Sequence, residues 1–323
     1  ANHNMYNGKT YWEEDETYAN AVIENYGTIT AGTSTFQTFE NCASIKNQGS
    51  IHVNGKVSIK EGASFSGNPI HVAQSVTYID ADGSQKKETF EYDWPVDDKL
   101  NLNSGKFPLN ETLTSLTVNG DVTLILTEDS TITGNITVNE GATLKIYTAS
   151  DSTYTMQAAN IGGSGKVIVN SGKVTVSGSI SEITVNNGEV TAGSSEKVIV
   201  NSGKVTVSGS VSEITVNNGE VTAGSSGKVI VNSGKVTVSD SISEITVNNG
   251  EVTAGSIGTV KISRGIINAN TVDKAEGISD NSGVIFADTI KNTDDFRGIA
   301  FIGNTGKLYG TAILTLGTSF TVP

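Results

Sequence analysis

The sequence predicts an all-β protein: a right-handed parallel β-helix (β-solenoid) with short 15–16-residue coils in its centre and a projecting β-hairpin. Three observations support this. A 31-residue unit occurs three times almost unchanged, starting at Lys166, Lys197 and Lys228. Each unit divides into two halves with one shared pattern, and apolar residues alternate with polar ones inside each half. Internal repeats of this kind are typical of solenoids, in which every repeat packs on its neighbours.

The first unit reads KVIVNSGKVTVSGSIS followed by EITVNNGEVTAGSSE. Alternation with a period of two places Val167 and Val169 on one face of a strand and Ile168 on the other. Asn-Ser-Gly at 170–172 and Asn-Asn-Gly at 186–188 predict corners, because Asn and Gly tolerate left-handed backbone conformations. The predicted inward residues of two successive coils are Val167, Val169, Val174, Val176, Ile180, Ile183, Val185, Val190 and Ala192.

The charged residues distinguish a 31-residue coil from a coil of half that length. Lys166 and Lys173 in the first half correspond to Glu182 and Glu189 in the second, and this alternation continues through all three units. Neighbouring coils lie about 4.8 Å apart. A 31-residue coil would stack Lys on Lys, which is destabilising, whereas a 15–16-residue coil stacks Lys on Glu. We therefore predict the short coils.

The same pattern extends outward from the repeats, at 22–32, 43–65, 115–126 and 135–147, and again at 259–269, 278–287 and 301–312. Spacings after the repeats approach twenty residues, so we expect coils there that are wider or carry loops. An Asp-Gly turn between two alternating segments predicts a hairpin over 76–94. We predict capping and irregular coils at 1–70, a hairpin insertion and connection at 71–114, and the main solenoid at 115–323. The pattern is interrupted at Pro323, and we expect the natural protein to continue beyond it.

Composition narrows the classes of partner. The formal net charge is −13 and no cluster of Lys and Arg is present, which argues against nucleic acid and against an anionic membrane surface. No run of eighteen apolar residues occurs, so we expect no membrane insertion in this segment. The single cysteine, Cys42, excludes an intrachain disulfide framework and is interpreted as a small buried hydrophobe.

The order of several motifs carries a family resemblance. YIDADGSQ is followed by LTVNGDVTLIL, NITVNEGATLKIY and repeated ITVNNGEVTA units. Across residues 74–258 this order resembles adhesin-like parallel β-helix repeat proteins on the surface of gut-type anaerobic bacteria. The chain departs from them by replacing longer Gly-rich loops with Ser-Gly-Ser links, which predicts more compact coils. The resemblance implies a secreted or cell-surface setting and an adhesive or scaffold role, and it brings no catalytic residues with it.

The sequence contains only weak candidates for catalytic or metal-binding sites. Asp294 and Asp295, beside Arg297, are the nearest approach to a carboxylate pair, yet adjacent strand residues point to opposite faces. Asp80, Asp82 and Glu88 lack the spacing of a calcium-binding loop, so a plain hairpin turn is the preferred interpretation. The three histidines, His3, His52 and His71, share no metal-binding spacing. We predict no catalytic residue, no cofactor and no metal.

Two surface features have a functional and a structural interpretation. Tyr11, Trp12 and Tyr18 are candidates for glycan binding, because exposed aromatic rings stack on sugars. The preferred alternative is that the N-terminal aromatic residues cover the open end of the solenoid. An outward column of threonines is similar to the regular arrays of ice-binding solenoids, but β-propensity on a solvated face is the preferred explanation. The column consists of Thr175, Thr191, Thr206, Thr222, Thr237 and Thr253.

These observations favour a non-enzymatic, secreted or cell-surface, adhesin-like repeat protein that acts as a rigid stalk or a binding module. The expected partners are a host or dietary glycan or an extracellular-matrix protein, and the expected state is a monomer. The alternative is a polysaccharide-binding or polysaccharide-degrading β-helix protein with its site on the irregular coils.

Overall fold

The structure, a computed structural model, describes residues 22–25, 28–31, 37–41, 44–59, 64–94, 98–150, 152–277, 283–292 and 299–302. These residues form strands, turns and bends, with no helix among them, and the strands stack in parallel as coils of a β-solenoid. The predicted fold class is therefore confirmed. The chain divides into two compact units. The first comprises Ala1–Asp98, Lys106–Pro108 and Ala149–Asp151, and the second comprises Lys99–Gly105, Leu109–Thr148 and Ser152–Pro323.

The N-terminal unit contains stacked parallel strands of its own. Matching apolar residues occupy the same register in neighbouring strands, so that Ile51 pairs with Ile70 and Val53 with Val72. All four of these side chains are buried, together with that of Ile45. The parallel strands are β1 (Val22–Asn25), β2 (Thr28–Ala31), β3 (Gln37–Asn41), β4 (Ser44–Asn47), β5 (Ser50–Ile59), β6 (Ser64–Gly67) and β7 (Ile70–Ile79).

The predicted hairpin is present and begins earlier than the sequence indicated, at Ile70 and not at Val76. Strand β7 pairs in antiparallel register with β8 (Gln85–Trp94) along its whole length. The first part of β7, from Ile70 to Ala73, also pairs in parallel with β5. The hairpin is thus continuous with the sheet at its base and extends past the paired part of β5 towards its turn. The start was missed because the sequence IHVAQ resembles one more coil.

The second unit opens with wide coils. Side chains one coil apart are separated by 20 residues at Asn119 and Asn139, and by 25 residues at Asn135 and Asn160. Within these coils Leu116 lies beside Ile136, and Val122 beside Leu144, all of them buried. The strands of this region are β9 (Lys99–Leu102), β10 (Gly105–Leu109), β11 (Thr112–Leu113), β12 (Ser115–Val118), β13 (Asp121–Leu126), β14 (Ser130–Val138), β15 (Thr143–Thr148) and β16 (Thr155–Gly162).

The three sequence repeats form short coils, as predicted. Lys173 lies beside Glu189, Glu182 beside Lys197, and Glu189 beside Lys204, so one half-repeat makes one coil. Only two residues separate one long strand from the next at most corners. The strands are β17 (Lys166–Val169), β18 (Lys173–Val185), β19 (Gly188–Val200), β20 (Gly203–Val216), β21 (Gly219–Val231), β22 (Gly234–Val247), β23 (Glu251–Ile262) and β24 (Ile266–Gly277).

The core of these coils consists of aliphatic ladders. Every one of the nine predicted inward residues between Val167 and Ala192 is buried. Burying a Val or Ile side chain contributes about 1.5–3 kcal/mol, which makes the ladders the main source of stability. The ladders alternate in size, because Val176 lies beside Ala192 and Ile180 beside Ser195. The longer coil of each pair therefore carries the larger inward side chains, and its additional residue appears as a register shift between Val176 and Ser179.

The alternating charges form ion pairs between neighbouring coils. Lys173 and Glu189, Lys197 and Glu182, and Lys235 and Glu251 each have N–O distances of 3.7 Å. These side chains are roughly half exposed, so each pair contributes at most about 1 kcal/mol. Their effect is on register: a coil that slipped by one half-repeat would place like charges side by side.

The corners carry a ladder of asparagines that the sequence analysis interpreted only as turn residues. Each side-chain amide donates from Nδ2 to Oδ1 of the asparagine one coil earlier, at 2.7 Å. Within this ladder, the side-chain amide nitrogen and oxygen of each internal asparagine both have a hydrogen-bond partner. Each of these hydrogen bonds adds about 1 kcal/mol. The signal in the sequence was the recurrence of Asn at the spacing of one coil. The ladder comprises Asn170, Asn186, Asn201, Asn217, Asn232 and Asn248.

The coils after the repeats are only partly as wide as predicted. Val252 pairs with Ile267 and Ile285 pairs with Ala300, each at the 15-residue spacing of a short coil, whereas Ile267 pairs with Ile285 at a spacing of 18 residues. A spacing near twenty is therefore confirmed for one step and wrong for the other two. The degenerate residues Ile266 and Asn268 occupy the positions of Glu and Thr in the regular coils, which hid the continuing register. The last strands are β25 (Val284–Asn292) and β26 (Ile299–Ile302).

Candidate functional site

The outer surface of the regular coils is uniform. The predicted threonine column is confirmed, because each Thr pairs in register with the next from Thr175 to Thr253. A second outward column alternates Ile and Thr, with Ile168, Thr184 and Ile199 in successive coils. Flanking Lys and Glu complete a surface that repeats every second coil. The surface of these coils is therefore periodic, and its reactive side chains are not clustered at any one point.

A more distinctive site lies in the N-terminal unit. One outward row of side chains crosses three strands: His52 on β5 lies in register with His71 on β7, which lies in register with Asp93 on β8. The two imidazole rings are stacked with their centroids 5.0 Å apart. Around them is a cleft of about 580 Å³ that is also lined by Asn54, Glu91 and Tyr92. We name this group the histidine row: His52, His71 and Asp93.

Both imidazoles of the histidine row have hydrogen-bond partners. Nδ1 of His71 lies 2.5 Å from Oδ1 of Asp93, so a protonated Nδ1 donates to the carboxylate. Nε2 of His52 lies 2.7 Å from Oγ of Ser50. Since the serine is bonded to one histidine and the aspartate to the other, they do not form a single Ser-His-Asp chain of the kind used in nucleophilic catalysis. The row positions imidazole nitrogens beside carboxylates in a solvent-accessible cleft.

His52 and His71 share no metal-binding spacing in the sequence, because they lie on different strands. A usable signal was present in the tripeptide Ile-His-Val, which occurs at 51–53 and again at 70–72. Once the coil spacing is known, identical tripeptides one coil apart predict stacked histidines. Asp93 could be added only from the register of the hairpin, which depends on where β7 begins.

The residues considered for calcium lie in the hairpin and make other contacts. Oδ1 of Asp80 accepts from the Ala81 amide, and Oδ1 of Asp82 accepts from the Ser84 amide, each at 2.8 Å. Glu88 forms an ion pair and hydrogen bond with Lys106, and this bond raises the pKa of Lys106. Within the described residues, no three or more His, Cys, Asp and Glu side chains are arranged to hold a metal ion. The two aspartates therefore serve as turn residues.

The Asp82 turn gives a pH-dependent prediction. Hydrogen bonds from Ser84 lower the pKa of Asp82 in the folded protein. The folded pKa lies below the unfolded one, so Asp82 stabilises the fold above the unfolded value of about 3.9 and loses this effect as pH falls through the folded pKa. Asp82→Asn should lower the urea midpoint of the hairpin at about pH 7 and be indistinguishable from the parent at about pH 2. A deficit that persisted unchanged at low pH would contradict the electrostatic origin.

Several predicted residues fall outside the part of the chain that the structure describes. They include the proposed glycan-binding residues Tyr11, Trp12 and Tyr18, and also His3 and Cys42. The carboxylates Asp294 and Asp295 and the neighbouring Arg297 are likewise outside it. These predictions stand as they were made from the sequence.

The fold and the histidine row together define a parallel β-solenoid with a polar cleft in its N-terminal unit. No family model, curated protein or solved structure matches the chain. In the residues that the structure describes, no helix has the length and apolar character needed to cross a membrane.

Proposed function

We propose that this chain is a non-enzymatic, adhesin-like repeat protein, secreted or displayed at a bacterial surface, in which the regular coils form a rigid stalk. One observation carries the proposal: from Lys166 to Gly277 the coils follow one another without an inserted loop. Enzymes and binding proteins built on rigid scaffolds place their working residues on loops. A run of coils that lacks loops suits a spacer whose length is its function.

The contacts between coils support a load-bearing role. Neighbouring coils in this run are joined by a strand ladder and an aliphatic core, and through the repeats also by a corner hydrogen bond between asparagines. These elements repeat along the stack axis, so the regular coils share the same contacts. The six coils of the three repeats, at about 4.8 Å each, span roughly 30 Å. The acidic composition, with a net charge of −13, favours solubility in an extracellular setting.

The binding function is tested with a screen of glycans and extracellular-matrix proteins against the intact chain. We expect retention of at least one glycan class, and its loss in Trp12→Ala. Phe286→Ala is the matched control, because Phe286 is an exposed aromatic residue on a coil of the second unit. Complete absence of binding in the screen would leave only the spacer role. Equal loss in both variants would argue against the N-terminal aromatic residues as the contact site.

The non-enzymatic part of the proposal has its own test. The alternative from another class is a polysaccharide-degrading β-helix protein. Incubation with pectin and related acidic glycans, followed by analysis for shortened products, separates the two. Product release that depends on the protein would overturn the proposal.

Location is tested by surface protease treatment of the producing cells. Digestion of the chain without cell lysis is the result expected of a protein displayed at the surface, and recovery of the intact chain from the medium is expected of a secreted one. A chain that is protected in intact cells and absent from the medium would contradict both.

A further inference from the structure

We propose that the histidine row is a binding site for a divalent transition-metal ion, with His52 and His71 as ligands and Asp93 as the residue that positions His71. The observation behind it is placement. The chain has three histidines, and two of them stand side by side on adjacent strands although they are distant in sequence. Imidazole nitrogen is the ligand that zinc, copper and nickel share, while calcium and magnesium prefer oxygen.

The hydrogen bonds of the row leave one nitrogen of each ring for the metal. When Nδ1–H of His71 donates to Asp93, the lone pair of Nε2 is available. When Nε2–H of His52 donates to Oγ of Ser50, the lone pair of Nδ1 is available. A histidine ligand whose other nitrogen donates to a carboxylate is the usual arrangement around protein-bound metals, because the carboxylate fixes the tautomer and increases the basicity of the ring.

The surroundings suit a weakly held ion with water in its remaining coordination positions. The side chains of His71 and Asp93 are about half exposed, at 50% and 58%, so water reaches the site. Because the two rings are stacked, at least one of them must turn for both to bind the same ion. Glu91 places a second carboxylate in the cleft. Among the described residues no three or more His, Cys, Asp and Glu side chains converge, so the protein would supply two imidazoles and water would fill the remaining positions.

Metal binding would also stabilise the sheet of the N-terminal unit. His52 belongs to β5 and His71 to β7, so one ion held by both connects two strands on the outer face. A ligand that binds the folded state alone raises the unfolding temperature. This inference is independent of the proposed stalk and adhesin function, because it concerns a cleft in the other unit.

The test is calorimetric titration of the full chain with zinc chloride in a His3→Ala background, so that the third histidine cannot contribute. We expect one zinc ion per chain and a higher unfolding temperature in zinc. His52→Ala and His71→Ala should each abolish both effects. Asp93→Asn should weaken the affinity by about 10–100-fold, the usual cost of losing such a partner. Glu196→Gln, which removes an exposed carboxylate from a regular coil, should bind zinc as the background chain does.

The outcomes of these titrations distinguish zinc binding at the histidine row from binding elsewhere. Circular dichroism without zinc checks that each variant folds, which is expected for changes at His52, His71, Asp93 and Glu196 because these four side chains are exposed. No zinc binding by the background chain would overturn the proposal, and so would unchanged binding in a folded His52→Ala or His71→Ala variant. Equal weakening in Asp93→Asn and Glu196→Gln would show that net charge, and not the bond to His71, governs the affinity.

Discussion

Deleting residues 197–227 should give a shorter solenoid that is more stable than one from which only residues 189–203 are removed, although the first deletion takes away twice as much chain. Removing the whole 31-residue unit brings Glu182 beside Lys228 in place of Lys197, and every alternation is preserved. Removing the half-unit places Lys173 beside Lys204 and Glu182 beside Glu213. It also places Val176 on Val207, where an alanine had separated them.

The half-unit deletion should carry a penalty of several kcal/mol, which we expect to exceed the contribution of its one additional coil interface. Two like-charged contacts replace two opposite ones, each worth up to about 1 kcal/mol, and the enlarged core adds about 1–3 kcal/mol of overpacking. Urea unfolding followed by circular dichroism measures the midpoints. In a repeat protein stability grows with the number of interfaces, so length alone predicts the opposite order. A half-unit deletion that proved as stable as the whole-unit deletion would refute the role of alternation.

A charge reversal distinguishes electrostatics from packing in that experiment. In the half-unit deletion, the triple substitution Lys166→Glu, Lys173→Glu and Glu182→Lys restores opposite charges next to Lys204 and Glu213 while leaving the core unchanged. It creates no new like-charged contact, because residues 166 and 173 lie beside the uncharged Thr143 and Thr155 on their other side. It should recover part of the lost stability at low salt and less at high salt, because exposed ion pairs are screened. Full recovery would mean that the core alternation has no cost.

The coil length was predictable from sequence because it followed from charges and not from secondary-structure propensity. A 31-residue coil would place Lys204 beside Lys173, whereas a 15–16-residue coil places Glu189 there. Electrostatic repulsion and attraction therefore distinguish the two coil lengths. The inward residues followed from strand periodicity in the same way. The asparagine ladder was missed because Asn at a corner has a sufficient local explanation, the turn, and its contact with the next coil is visible only once coils are stacked.

The histidine row was harder to predict for a different reason. It joins residues from β5, β7 and β8, and two separate registers must be known before the side chains meet. The first is parallel and follows the coil spacing, which in this unit differs from that of the regular repeats. The second is antiparallel and depends on the hairpin turn at Asp80–Ser84. An error of one residue in either would move a side chain to the opposite face.

The corner glycines predict a large effect of a single substitution. Gly203 has a φ of +93°, and a Cβ atom there would lie 2.4 Å from the carbonyl oxygen of Gly188 in the preceding coil. Neither backbone can withdraw without breaking the strand ladder. Gly203→Ala combines left-handed strain of about 1–2 kcal/mol with a steric cost of about 1–3 kcal/mol, so we expect a loss of about 3 kcal/mol or more in the free energy of unfolding.

Two matched variants separate the contributions to that loss. Gly141 has a φ of +78° with nothing within 4 Å of the position that a Cβ atom would occupy, so Gly141→Ala should show the strain alone, about 1–2 kcal/mol. Gly219 has no positive φ, but its Cβ would lie 2.6 Å from Cγ1 of Val200 and 2.8 Å from the Gly203 carbonyl oxygen, so Gly219→Ala should show a steric cost without backbone strain. If Gly203→Ala were no worse than Gly141→Ala in urea unfolding, the coils would not be as closely stacked as their register requires.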